Sequence, residues 1–284
     1  MVASTHTTIL CFTNLGKVYW LKVYQIPIAG RNSRGRPVVN LLPLSEGERI
    51  SSILPVDEYS EDKFVLMATA NGTVKKTALT QYSRPRSVGL RAVDLVEGDH
   101  LVGTAIIDDS SDVMLFSSEG KAVRFASTDA RSMGRVSKGV RGMRLPEGSS
   151  VISMVIPEQD GFLLTVCENG YGKRTKVEEF PTKGRGGKGM IAIQASERNG
   201  PLVGATQLFS GDEIMLISDQ GTMVRTRGDE VSVVGRNTQG VRIIRLKENE
   251  NLVSLARIAE PEEDEFVVSE SGDDVVAEAT DTAD

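Results

Sequence analysis

The stretch FVLMATANGTVKKTAL, residues 64–79, decides the fold, because it reads as a complete β-hairpin. An apolar run leads into Asn71-Gly72, and a second run of similar length ends in basic residues. Asn-Gly is a strong hairpin signal, because both turn positions favour residues that tolerate a positive φ angle. The stretch therefore predicts two antiparallel strands joined at Gly72.

The hairpin pattern occurs four more times along the chain. The other copies are TILCFTNLGKVYWLKV (8–23), DVMLFSSEGKAVRFAS (112–127), FLLTVCENGYGKRTKV (162–177) and EIMLISDQGTMVRTRG (213–228). Their turn glycines are Gly16, Gly72, Gly120, Gly170 and Gly221, which lie 56, 48, 50 and 51 residues apart. A fixed period of this size indicates a repeat architecture rather than a set of independent domains.

Each hairpin is followed by a second motif, made of a basic stretch with glycine, an apolar run, an acidic or glycine turn and another apolar run. Examples are VGLRAVDLVEGDHLVGTAI (88–106) and KGVRGMRLPEGSSVISMVI (138–156). Each unit thus supplies about four short strands, and helical periodicity is lacking except for a turn or two near 177–180. The sequence predicts an all-β, propeller-like domain over residues 1–259, with five units at approximately 8–57, 64–107, 112–157, 161–208 and 212–258.

Composition is typical of a globular protein outside the membrane. No apolar run reaches the roughly 18 residues of a membrane span, and the start MVASTHTT lacks the features of a signal peptide. Cys11 and Cys167 both lie in apolar, strand-like runs without C-x-x-C spacing. They are predicted to be buried thiols, which suits a reducing, cytoplasmic location.

The net charge of −6 is unevenly distributed. From Glu260 onward the chain carries eleven acidic residues and no Lys or Arg, whereas residues 1–259 hold 33 basic against 28 acidic side chains. The segment 260–284 is predicted to be a disordered acidic tail. Two roles stay open for it: a solubilising tail, or a competitor of a polyanion for the basic body.

Alignment of the units places one basic, glycine-containing loop of each unit in register. These five edge loops are residues 30–37, 83–89, 133–139, 183–189 and 234–240. Their candidate binding residues are Arg31, Arg34, Arg36, Arg84, Arg86, Arg135, Lys138, Lys183, Arg185, Lys188 and Arg236. A second row just after the hairpin turns comprises Lys75, Lys76, Arg124, Lys173, Arg174, Arg225 and Arg227.

A periodic row of cations on one edge of a disc suits a regular polyanion. Glycine lets a phosphate approach backbone N–H groups, and Lys and Arg supply the charge. Aromatic residues are only 5% of the chain and do not recur in these loops, which argues against stacking on single strands. Because no recognition helix is predicted, double-stranded DNA bound without sequence preference is the favoured ligand. The alternatives are ordinary solvated charge and a propeller-type scaffold for protein–protein interactions.

The loop TKGRGGKGM (182–190) also satisfies G-x-G-x-x-G at Gly184, Gly186 and Gly189. A dinucleotide loop leads from a strand into a helix, whereas MIAIQA, which follows here, reads as a strand. A Ser-His-Asp or Cys-His site has little support from the two histidines, His6 and His100, and no ligand cluster indicates a metal. We therefore predict no catalytic residue, no metal and no cofactor in this chain.

The whole chain resembles the C-terminal DNA-wrapping domain of bacterial DNA gyrase A. The most specific stretches are SRGRPVVNLLPL (33–44), MATANGTVKKT (67–77), NGYGKRT (169–175) and VGRNTQGVRIIR (234–245). The resemblance implies a β-pinwheel, a disc in which neighbouring blades exchange strands and DNA wraps around a basic perimeter. It further implies a non-catalytic part of a type II topoisomerase that introduces negative supercoils, with the rest of gyrase A and with gyrase B as partners. The cleavage tyrosine, ATP and Mg²⁺ would then belong to other parts of that enzyme. The related domain of topoisomerase IV, which positions DNA without strong wrapping, is the alternative within this resemblance.

The chain departs from the family pattern in two respects. The family disc usually has six blades, whereas five complete units are visible, and the missing unit is the first, which carries the gyrase box Q-R-R-G-G-K-G. Residues 183–189 match five of the seven box positions, from Arg185 to Gly189, but belong to the fourth unit. The special role of the box therefore does not carry over to this loop. With five visible units, closure of the blades into a ring and strong wrapping of DNA stay open at this point.

Overall fold

A computed structural model describes residues 3–30 and 32–259, which form short antiparallel strands joined by turns and brief 3-10 helices. The five hairpins contain β1 (Thr8–Thr13), β2 (Lys17–Lys22), β4 (Phe64–Thr69), β5 (Thr73–Ala78), β8 (Asp112–Ser117), β9 (Lys121–Ala126), β12 (Phe162–Cys167), β13 (Tyr171–Lys176), β16 (Glu213–Ser218) and β17 (Met223–Arg227). The strands that end the five units are β3 (Ile50–Val56), β7 (Leu101–Ile107), β11 (Val151–Val155), β15 (Leu202–Leu208) and β19 (Leu252–Ile258). The all-β, propeller-like prediction is confirmed.

Four two-residue strands complete the neighbouring blades: β6 (Leu90–Arg91), β10 (Val140–Arg141), β14 (Met190–Ile191) and β18 (Val241–Arg242). We call the sheet that contains the hairpin of a given unit the blade of that unit. The blades have the strand orders β3-β1-β2-β6, β7-β4-β5-β10, β11-β8-β9-β14 and β15-β12-β13-β18. Each short strand thus comes from the next unit along the chain, which is the strand exchange that the resemblance implied.

The strand order also distinguishes the inside of the disc from its perimeter. The strands β3, β7, β11, β15 and β19 contact one another in that order from blade to blade, so they lie innermost. The exchanged strands lie at the opposite edge of each sheet and are called the perimeter strands. Each edge loop of units two to five leads directly into a perimeter strand.

The turn glycine of each of the first four hairpins receives the exchanged segment of the next unit. The carbonyl oxygen of Gly120 accepts the N–H groups of Ala192 at 2.8 Å and Ile193 at 3.1 Å, and Gly16, Gly72 and Gly170 do the same in their blades. Gly120 has a φ of 76°, and a Cβ built on it would lie 2.3 Å from the carbonyl oxygen of Ile193. Glycine is therefore needed both for the turn conformation and for the close approach.

The core consists of one apolar layer between each pair of neighbouring blades. On β4, Val65 and Met67 pack toward the first blade, whereas Leu66 and Ala68 pack toward the third. Because alternate residues of a strand point to opposite faces, a strand buried on both faces needs an unbroken apolar run. This requirement explains why the first strand of every hairpin is mostly apolar.

The first and last blades differ from the middle three. The outer face of the first blade is covered by the part of the first unit that contains Leu42, and Leu42 packs against Cys11 and Tyr19. In the last blade β17 has no perimeter strand beside it among the described residues, and Met223 is 64% exposed. The last blade therefore presents a free strand edge in this part of the chain.

None of the helices in the described residues has the length and apolar character needed to cross a membrane.

Candidate nucleic-acid interface

The edge loops of units two to five form a continuous row, because each is hydrogen-bonded to the segment that directly follows the preceding loop. The carbonyl oxygen of Ser137 in the third loop accepts the N–H of Asp94, which follows the second loop, at 3.3 Å. Equivalent bonds join Arg144 to Gly187 and Gln194 to Thr238, both at 2.9 Å. The hydrogen bonds therefore hold the loops at a fixed spacing along the perimeter, and the loops do not project independently of one another.

Most predicted cations of the edge loops reach the surface of this row. Lys138 and Lys188 occupy the same position, directly before the positive-φ glycine of their loops, and both are exposed. The other exposed members are Arg84, Arg86, Lys183 and Arg185, and Arg135 and Arg236 are half-buried. Arg34 and Arg36, in the edge loop of the first unit, are exposed as well. Arg31 lies outside the described residues.

Two loop arginines use their guanidinium groups to bind the backbone of the preceding unit, next to its edge loop. Arg185 donates from Nη1 to the carbonyl oxygen of Arg141 at 2.8 Å and from Nε to that of Asp129 at 3.0 Å. Arg236 donates in the same way to the carbonyl oxygen of Ile191 at 3.2 Å. These bonds fix the guanidinium groups and leave part of each positively charged side chain facing solvent.

The second predicted row is largely internal, which corrects the expectation that it extends the surface row. Lys75, Lys76, Lys173 and Arg174 are between 0% and 7% exposed. They lie on the second hairpin strand, which is buried on both faces between blades. Their positive charges are used inside the protein.

In the first four blades, the fourth residue after the turn glycine holds the 3-10 turn of the next unit. In the fourth blade Arg174 Nε donates to the carbonyl oxygen of Val231 at 2.8 Å, and Nη1 donates to Asp229 at 2.6 Å. Arg124 Nη1 likewise donates to the carbonyl oxygens of Val177 at 3.2 Å and Phe180 at 3.0 Å. These arginines therefore connect blades rather than provide free charge.

The last blade shows this position where no exchanged segment lies beside it among the described residues. Arg225 is exposed and forms an ion pair with Glu213 on the neighbouring strand. Arg227, two residues on, is exposed as well. Of the predicted second row, these two arginines are the members that the structure places on the surface.

The structure adds cations that the sequence pattern did not single out. Arg91, Arg141 and Arg242 each stand two residues after the edge-loop glycine and are exposed on a perimeter strand. The signal was present in the repeat alignment, because arginine recurs there in three of the four exchanged strands. It was missed because a two-residue strand has too few residues to show an alternating pattern.

The glycine-rich loop 183–189 lies between two clefts with cationic walls. One cleft of about 270 Å³ is lined by Lys121, Arg144 and Lys188, and the other, of about 220 Å³, includes Arg124, Lys183 and Lys188. Lys188 is thus shared by both clefts. The loop continues into β14, so the helix that a dinucleotide loop requires does not follow it.

The two cysteines are buried structural thiols. Burial raises the pKa of Cys11 to about 11 and that of Cys167 to about 12, so both stay protonated at neutral pH. Neither forms a disulfide. This agrees with the prediction of buried, unpaired thiols.

Comparison with known proteins identifies the repeats. The family model described as "DNA gyrase C-terminal domain, beta-propeller" matches residues 7–57, 63–108, 111–158, 162–207 and 212–259. DNA gyrase A of Salmonella typhimurium is 55% identical over 285 residues, covering 98% of this chain and 32% of that protein. DNA gyrase A of Escherichia coli is 54% identical over 289 residues, covering 100% of this chain and 33% of that protein.

Two solved structures share the fold. The chain is similar to a DNA gyrase A C-terminal domain with a TM-score of 0.78 and 28% identity, covering 90% of this chain and 84% of that one. It is also similar to the C-terminal domain of DNA topoisomerase IV, with a TM-score of 0.82, 24% identity and coverage of 89% and 80%. The chain spans about a third of the length of the gyrase A proteins that it matches. With all five units matched, the chain belongs to the family of DNA gyrase C-terminal domains.

Proposed function

We propose that this chain binds and wraps double-stranded DNA around its perimeter, without sequence preference. The observation that carries the proposal is the recurrence of exposed cations at equivalent positions of hydrogen-bonded edge loops, as at Lys138 and Lys188. Cations at a regular spacing match the regular phosphates of a duplex, and backbone contacts carry no sequence information. The exposed and half-buried cations of the edge loops, Arg225, Arg227 and the perimeter-strand arginines are proposed to contact phosphates.

In the whole protein, the wrap is proposed to direct strand passage by gyrase so that ATP hydrolysis introduces negative supercoils. The rest of gyrase A and gyrase B are the proposed partners, in the bacterial cytoplasm, and the catalytic chemistry belongs to them. What supports this assignment is the 54–55% identity to gyrase A proteins over essentially the whole of this chain.

The salt dependence of binding tests the DNA-binding part of the proposal. If 6 to 10 phosphates are contacted, the affinity for a duplex should fall by about 10³ to 10⁵ between 50 and 200 mM salt. Fluorescence anisotropy with two unrelated duplex sequences measures both the slope and the lack of sequence preference. A flat salt response would instead support the protein-interaction scaffold.

The linking number of ligated plasmid tests the wrapping part. A nicked plasmid is sealed by ligase in the presence of the chain, and its topoisomers are separated on an agarose gel. A shift in linking number is expected, and its sign gives the handedness of the wrap. Retained DNA binding without a shift would show that the chain contacts DNA without wrapping it, as in the topoisomerase IV alternative.

Removal of residues 260–284 should tighten DNA binding if these acidic residues compete with DNA for the perimeter. This segment lies outside the described residues and carries eleven acidic side chains. Titration of one duplex with the full chain and with chain 1–259 measures the difference. Equal or weaker binding by the shortened chain would leave solubility as the role of the tail.

A further inference from the structure

Two lysines at equivalent positions are buried with no carboxylate at ion-pair distance, although Asp94 and Glu179 lie near enough to Lys75 and Lys173, respectively, to stabilise their charge. Lys75 and Lys173 each stand three residues after a turn glycine and are 1% and 0% exposed. Neither forms an ion pair within the described part of the chain. A buried charge is unfavourable unless its hydrogen bonds are satisfied. The hydrogen-bond acceptors around each ammonium therefore indicate its role.

The ammonium of Lys75 joins two consecutive edge loops. Its Nζ donates at 2.5 Å to the carbonyl oxygen of Ala92, which follows the second edge loop. It also donates to the carbonyl oxygen of Arg135, in the third edge loop. Both acceptors are backbone atoms, so the lysine fixes the course of the chain rather than one side chain.

The ammonium of Lys173 is enclosed by the fifth edge loop. Its Nζ donates at 2.6 Å to the carbonyl oxygen of Gly235, to that of Arg236, and at 3.2 Å to Oγ1 of Thr238. A protonated lysine has three N–H donors, and all three are used here. The loop therefore curves around the ammonium with its oxygen atoms inward.

The two sites share one geometric rule. In both, the lysine of one blade binds the carbonyl oxygen of the arginine that stands four residues before the loop glycine of the next unit, namely Arg135 or Arg236. Burial lowers the pKa of both lysines to about 8, still above neutral pH, so both remain donors at pH 7. In the third blade Val123 occupies the position and cannot donate such a bond; Arg185 of the next loop, like Arg236, donates its own side chain to neighbouring carbonyl oxygens.

We propose that Lys75 and Lys173 are positioning residues of the DNA interface, each fixing the backbone of the next unit's edge loop and with it the arginine that this loop presents. Neither lysine touches DNA. The inference rests on the proposed function, because it assigns a role in DNA binding to two residues that the surface does not expose.

Crossed double-mutant cycles test this role. The variants are Lys75→Met, Lys173→Met, Arg135→Ala, Arg236→Ala and the four Lys/Arg combinations. Each is measured for duplex affinity over a range of salt, below its thermal unfolding temperature. Each lysine variant should bind about three- to tenfold more weakly, with a salt slope shallower by about one unit.

The pairing of the losses separates positioning from general destabilisation. Lys75→Met should be non-additive with Arg135→Ala and additive with Arg236→Ala, and Lys173→Met should show the reverse. A lysine that only stabilised the fold would lack this pairing. Should a methionine variant not fold, Lys→Gln, which keeps two N–H donors without the charge, takes its place in the same cycle.

Two outcomes overturn the inference in distinguishable ways. A folded lysine variant that binds like the wild type, or losses that add equally in all four combinations, overturns the positioning role alone. Unchanged binding in both arginine variants overturns the positioning role together with the assignment of these loops to the DNA path.

Discussion

Gly120→Ala is expected to lower the free energy of unfolding by about 3 kcal/mol, whereas Gly221→Ala should lower it by only about 1 kcal/mol. Both glycines occupy the hairpin turn with nearly the same φ, 76° and 82°. The cost of placing alanine in the left-handed region is therefore common to both positions.

The difference comes from the exchanged segment. A Cβ at Gly120 would lie 2.3 Å from the carbonyl oxygen of Ile193 and 3.0 Å from its Cγ2, whereas nothing lies within 4 Å of a Cβ at Gly221. Alanine at position 120 must displace the perimeter strand β14 or lose the hydrogen bonds from Ala192 and Ile193. Gly221 belongs to the last blade, which receives no such segment in the described residues, and is thus a matched control.

Urea unfolding followed by circular dichroism measures both variants against the wild type. Equal losses at the two positions would falsify the view that the turn glycines are required by strand exchange. A loss at Gly120 alone, with Gly221→Ala unchanged, would show instead that the turn conformation contributes little.

Removal of four exposed edge-loop cations is expected to produce the largest loss of DNA binding. The variant combines Arg84→Ala, Arg86→Ala, Lys138→Ala and Lys188→Ala, in three consecutive loops. If each contacts one phosphate, the salt slope should become shallower by up to about 3.6 units and the affinity should fall by about 10² or more near physiological salt. None of the four side chains forms a hydrogen bond or ion pair within the described residues, so stability should change little.

A control of equal charge distinguishes specific contacts from the effect of net charge. Four cations outside the edge loops are replaced by alanine in the control variant, namely Lys22, Arg49, Lys176 and Lys247. Lys22 and Lys176 end hairpin strands, and Arg49 and Lys247 lie in turns that lead to inner strands. Salt titration of both variants with one duplex makes the comparison. If the control lost as much affinity and slope as the loop variant, the edge loops would not be the DNA path.

The repeat and the hairpins were predictable because their information is local. Glycine at a fixed period and an apolar run before it determine where each hairpin begins and turns. The short 3-10 helix at Val177–Glu179 was visible in the same way. The partner of a perimeter strand was not, since nothing within Leu90–Arg91 specifies which blade these two residues join.

The two buried lysines show that positive charge alone does not predict a surface position. Lys75 and Lys173 were predicted to bind DNA because they are basic and recur, yet both are buried. The equivalent residues of the first and third units are Tyr19 and Val123, which are buried as well. The third position after the turn glycine is therefore an interior position in these four units. The residue types found there across the repeats predict burial better than the charge of one lysine does.

The edge loops have a mechanical property that follows from strand exchange. Each loop of units two to five starts at the end of a hairpin in one blade and leads into the perimeter strand of the preceding blade, so its two ends are anchored in different sheets. A force that a bent duplex exerts on the loop is therefore shared by two blades. It acts across the contact between the turn glycine of one blade and the exchanged segment of the next unit. Because each loop is covalently continuous with two sheets, tension in the bound DNA is coupled to the angle between neighbouring blades and so to the curvature of the disc.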